Sequence, residues 1–161
     1  MTPIFALVLG LSTPFDPAGH AGWAEFGVKP SLRQSEELVQ IGTIPGKTEP
    51  GEYAYWLRHT RTTAGVQTVR FTDTASCPAA NEVLARIEAF EIPSATAPHN
   101  WQNIVITMDG ARYHMKAPLR FGDRTGSVSL ESNVQTPLAE FVNANLKALE
   151  NCWSEELPSR G

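Results

Sequence analysis

Residues 77–90 read Cys77-Pro78-Ala79-Ala80-Asn81-Glu82-Val83-Leu84-Ala85-Arg86-Ile87-Glu88-Ala89-Phe90. Pro78 suits a first helical turn, where its missing N–H is not needed. Ala80, Val83, Leu84, Ile87 and Phe90 then share one face, while Glu82, Arg86 and Glu88 lie off it. The pattern predicts a helix over 78–90 with one stripe to bury, and such a stripe demands a second layer. Thr136-Pro137 announces a second helix, with Leu138, Phe141, Val142, Leu146 and Leu149 on one face and Cys152 just past its end. Asn145 falls inside that stripe and is expected to be a hydrogen-bonded polar group at the helix–sheet contact.

Cys77 and Cys152 are the two cysteines of the chain. A metal site would need two further ligands, and no Cys-x-x-Cys or Cys-x-His grouping supplies them. In an oxidising compartment the pair reads as a structural disulfide. Parallel helices would hold the two cysteines about 20 Å apart at 1.5 Å per residue, whereas a disulfide tolerates at most about 7 Å between Cα atoms. The two helices are therefore expected to be antiparallel neighbours.

The rest of the chain reads as strands. Residues 37–44 suggest a first strand, and 52–62 with 65–72 a hairpin about Thr63-Ala64. Segments 103–108 and 111–117 flank Asp109-Gly110, a strong two-residue turn, and 126–132 alternates Val128 and Leu130 with serines. Residues 22–35 show no clear period and read as an extended lead-in to a domain spanning 36–161. The expected fold class is α+β: a two-layer sandwich with one mainly antiparallel sheet of about five or six strands and both helices on one face.

Ile4 to Leu11 form an apolar run too short to span a bilayer, followed by Pro, Asp and Gly breaks and then by Gly19 and Ala21. This predicts a signal peptide over 1–21, cleaved after Ala21, although no Lys or Arg precedes the run. The competing reading is an apolar N-terminal strand. Export implies a periplasmic or secreted protein with no transmembrane span after leader removal. At 161 residues, 42% hydrophobic and 19% charged, the chain has the composition of one globular domain. Its formal charge of −4 gives no reason to expect nucleic acid as a partner.

The Asp109-Gly110 turn would pair Ile104, Ile106 and Met108 with Met115, Tyr113 and Ala111 on the buried face, leaving Arg112, His114 and Lys116 on the open one. A Thr63-Ala64 turn would pair Trp56 with Phe71 inside, so that Tyr53, Tyr55, His59, Arg61 and Arg70 join the same open face. These eight residues form the candidate binding surface for a protein, glycan or anionic ligand such as an envelope component. A solvated face with Glu131 pairing Lys116 or Arg112 is the plainer alternative. Gly46-Lys47-Thr48 resembles the end of a phosphate loop but lacks the earlier Gly and the following helix.

There is no Gly-x-Ser-x-Gly, His-Glu-x-x-His or dinucleotide fingerprint, and no cofactor is expected. The alternative enzyme reading is a small hydrolase or metal site in which His59 and His114 meet, with Asp73 or Asp123 nearby. Trp153 is expected to cover the disulfide.

Overall fold

The structure, a computed structural model, describes residues 14–45, 53–94 and 110–158. Within them the strands are β1 (Ala24–Pro30), β2 (Ser35–Thr43), β3 (Tyr55–Thr63), β4 (Val66–Asp73), β5 (Ala111–Phe121) and β6 (Arg124–Ser132). Helix α1 (Pro78–Glu88) follows β4, and α2 (Pro137–Ala148) follows β6. The strands form one antiparallel sheet in the order β4-β3-β2-β1-β5-β6. Both helices pack on one face of it, as the α+β reading expects.

Residues 24–30, expected to be a lead-in, form a central strand between β2 and β5. Ala24, Phe26 and Val28 alternate with Glu25, Gly27 and Lys29, which places the apolar set under the helices. The strand expected over 103–108 lies outside the described residues. The proposed partner stretch in β5 has both edges occupied, by β1 on one side and β6 on the other. The main core sets Phe26, Val39, Ile41, Leu57, Tyr113 and Met115 of the sheet against Val83, Ile87, Val142 and Leu149 of the helices.

The helices run antiparallel, and three contacts along their length show it. Cys77, just before α1, is bonded to Cys152, just after α2, with Cα atoms 5.7 Å apart. Further along, Arg86 Nη1 donates to Asn145 Oδ1 at 3.2 Å. Beyond the end of α1, Phe90 meets Phe141 edge-on at 4.8 Å. Asn145 is fully buried, and this bond satisfies its oxygen, while its Nδ2 has no protein partner among the described residues. Thr136 caps α2 by accepting from Ala139 N at 3.1 Å.

A second, smaller core lies on the opposite face of the sheet. Phe15 and Trp56 are buried there with Ile44, and Ala54 packs against them. Phe15 N donates to Pro158 O at 2.7 Å, and Pro17 is buried at the start of a short 3-10 turn, Pro17–Gly19. Trp56 lies flat over Gly42, its cross-strand neighbour, where a Cβ would collide with the indole ring.

Candidate anion-binding cleft

The hairpin turn between β3 and β4 is Ala64-Gly65, both at positive φ, with Thr63 facing Val66. The expected turn at Thr63-Ala64 is displaced by one residue, so every cross-strand pair shifts by two. Trp56 faces Asp73, and Phe71 faces Arg58. His59 now stands directly opposite Arg70, with Glu37 diagonal to it on the far side.

A shift of two preserves which residues share a face, but the hairpin presents the opposite face to the helices. Trp56 was expected inside, paired with Phe71 about a Thr63-Ala64 turn. It is buried, yet in the second core. Tyr55, His59, Arg61 and Arg70 consequently lie on the helix side, in phase with Val39, Ile41 and Leu57. Arg112, His114 and Lys116 lie on the open face, as expected from the burial of Tyr113 and Met115 between them. The eight-residue surface is thus divided between two faces. Tyr53 is exposed ahead of β3, its ring 6.4 Å from that of Tyr55.

On the open face, some of the polar groups engage one another across the strands. Lys116, Glu25, Gln40 and Arg58 follow one another across four strands. Gln40 Nε2 donates to Glu25 Oε2 at 3.4 Å, and Arg58 donates to Gln40 Oε1 through Nε at 3.1 Å and also through Nη2. Lys29 pairs with Glu36 at 3.8 Å. His114 lies over Gly27, where a Cβ would come within 2.7 Å of its ring, and it stands opposite Glu131. The pairing of Glu131 with Lys116 or Arg112 that the plainer alternative expects is not seen among the described residues.

On the helix side, a cleft of about 460 Å³ is lined by Glu37, His59, Arg61, Arg70, Leu146, Lys147, Glu150 and Trp153. β2, β3 and β4 form its floor, and the last turn of α2 with the chain beyond forms its wall. Glu37 sits in phase with Val39 and Ile41 and points up beside His59 and Arg61. Its Oε2 is 3.5 Å from His59 Nε2, long for a hydrogen bond, and its Oε1 is 3.4 Å from Arg61 Nε. The His59 ring stacks on Trp153 with centroids 4.9 Å apart and planes at 24°.

Trp153 is held in that stack from both sides. Cys152 before it is bonded to Cys77, and Ser154 after it exchanges two backbone hydrogen bonds with Phe71. Trp153, expected to cover the disulfide, is one wall of the cleft. Arg70 and Lys147 make no ion pair among the described residues. Glu37, Lys147, Glu150 and Trp153 escape sequence reasoning. The available signal was Glu37, a carboxylate in step with two fully buried residues of its own strand.

The contact with His59 draws the Glu37 carboxyl below its ordinary value of 4.5, opposed by partial burial and aided by the charges of Arg61 and His59. A lowered folded value contributes stability above the unfolded value, and that contribution is lost as pH falls through the folded one. Acid titration of the wild-type protein should thus show a loss of stability below about pH 4.5 that Glu37→Gln lacks. Urea melts at pH 3, 4 and 6 check it, and identical pH slopes for the two proteins would refute it.

The expected site joining His59 and His114 does not form, because the two rings are on opposite faces of the sheet. Asp73 Oδ1 is engaged locally, accepting from Ala75 N at 3.0 Å and Ser76 N at 2.6 Å. Among the described residues, no three His, Cys, Asp or Glu side chains are grouped to hold a metal ion. No family model, curated protein or solved structure matches the chain.

Proposed function

We propose that this protein is an exported, non-catalytic binding module that engages an anionic group of a protein or envelope component in the cleft between β2–β4 and the end of α2. The observation that carries this reading is that Arg70 and Lys147 make no ion pair among the described residues and stand beside a fixed His59–Trp153 stack. Arg61 is partly committed to Glu37, so these two cations are the ones left to receive an incoming charge. Hydrogen bonds from cations to anionic oxygens are the stronger kind, about 1.5–3 kcal/mol each. A disulfide persists where the surroundings are oxidising, which supports export. Among the described residues no helix is long and apolar enough to cross a membrane.

Pyrophosphate and citrate are suitable probes. Titrated into the full chain and followed by NMR, they should shift the Trp153 indole and the Arg70 and Lys147 resonances saturably. Arg70→Ala and Lys147→Ala should each weaken the response about tenfold, the loss of one charge-assisted bond. A response centred on Arg112, His114 and Lys116, or one indifferent to Arg70→Ala, would refute the assignment to this cleft.

A further inference from the structure

The cleft opens along β4, and β4 is an edge of the sheet. On the side away from β3, Phe71 N donates to Ser154 O at 2.7 Å and Ser154 N to Phe71 O at 2.9 Å. Backbone groups alternate sides along a strand with period two. Val69 and Gln67 therefore direct their N–H and C=O groups outward as Phe71 does, and no described residue pairs with them there. The chain's own C-terminal segment leaves this edge after Ser154: Glu156 N turns back to Ser154 Oγ at 3.0 Å, and Pro158 O receives the Phe15 N–H. Exposed edges are commonly blunted with Pro, Lys or bulges. From Val66 to Arg70 there is no Pro, Lys or acid, and both valines are exposed.

We propose that β4 takes up an extended acidic peptide as an added strand, its backbone on Gln67 and Val69 and one carboxylate in the cleft at Arg70 and Lys147. The proposal rests on the cleft reading above. Charge selects the occupant. On an antiparallel added strand, the residue opposite Arg70 points to the helix side, where Arg70 and Lys147 make no ion pair among the described residues. The residue after it lies opposite Val69 and points to the other face, where Val69 is exposed, while the position before it, opposite Phe71, is held by Ser154. The recognised pattern is a leading acidic residue followed by an apolar one. Main-chain bonds would supply affinity and the alternating side chains specificity. At the other edge, β6, the adjoining cleft is lined mostly by apolar residues, with Arg120 its one cation among the described residues.

A capped Glu-Val-Glu-Val peptide, titrated into the full-length protein, tests this. Binding should slow amide hydrogen exchange at Gln67 and Val69 at least tenfold, and Arg70→Ala should weaken it about tenfold. The same peptide N-methylated at alternate amides should not bind, and a capped Lys-Val-Lys-Val peptide should bind at least tenfold more weakly. Equal binding of the N-methylated peptide, no binding of the Glu peptide, or unchanged exchange at Val69 would overturn strand addition. If pyrophosphate still shifts Arg70 in that case, the cleft reading survives without it; if neither probe acts there, both fall.

Discussion

Replacing Cys77 or Cys152 with alanine should lower the unfolding free energy by about 2–5 kcal/mol. The bond closes a sequence separation of 75 residues, for which chain entropy alone gives roughly 4–4.5 kcal/mol. Typical domains hold only about 5–15 kcal/mol in all, so a large share of the stability rests on this link. Cys77 is also buried against α1 and the sheet, which adds a small packing loss on truncation. Urea unfolding of the oxidised protein, the reduced protein and Cys152→Ala would measure it; coincident midpoints would refute it. The same substitution should act at the cleft. Without the disulfide at Cys152, Trp153 loses one of the constraints that hold it over His59, and the Ser154–Phe71 bridge and the backbone bond of residue 152 to Leu149 O remain. The pyrophosphate affinity of Cys152→Ala should therefore fall under conditions where the protein remains folded.

Phe15→Ala should cost about 3–5 kcal/mol, the usual range for a large aromatic removed from a closed site. Phe15 has no exposed surface, and with Ile44 it covers Trp56 on the face away from the helices. Its removal opens a cavity and admits water to the Trp56 ring. A chain beginning at Gly22 should lose at least as much, since Pro17 and the Phe15–Pro158 hydrogen bond go as well. Trp56 fluorescence should then move to longer wavelength. Comparing melting midpoints of chains that begin at Pro14 and at Gly22 tests this directly, and equal midpoints would defeat it. The outcome bears on export too, because cleavage after Ala21 would remove this core, whereas cleavage upstream of Pro14 would leave it in place.

Most of the architecture was legible because each element carries a local signature. The stripe from Ala80 to Phe90, the Thr136-Pro137 start and the alternation through Val128 and Leu130 all depend on neighbours a few residues away. The pairing of Cys77 with Cys152 and the antiparallel helices followed from elimination and the limits of S–S geometry. β1 was passed over because Gly27 and Pro30 weaken its strand signal, though its alternation was present. Gly27 is there because the Glu37 carbonyl and the His114 ring leave no room for a Cβ, a constraint imposed by other strands.

The cleft was the part that stayed hidden. Alternation states which residues of a strand share a face, and Tyr55, His59, Arg61 and Arg70 do share one. It does not state which face meets the helices, because both faces of this sheet bury aromatic residues. The expected Thr63-Ala64 register put Trp56 on the helix side, whereas Phe15, some forty residues earlier, supplies a second interior for it on the other. By itself, then, the sequence determined the elements, the antiparallel helices and the cysteine pair, since each rests on local periodicity or covalent reach. The tertiary structure decided which charged side chains meet. Glu37, His59, Arg70, Lys147 and Trp153 come from three strands, a helix and the chain beyond it, and only the order of the sheet and the side its helices cover bring them together.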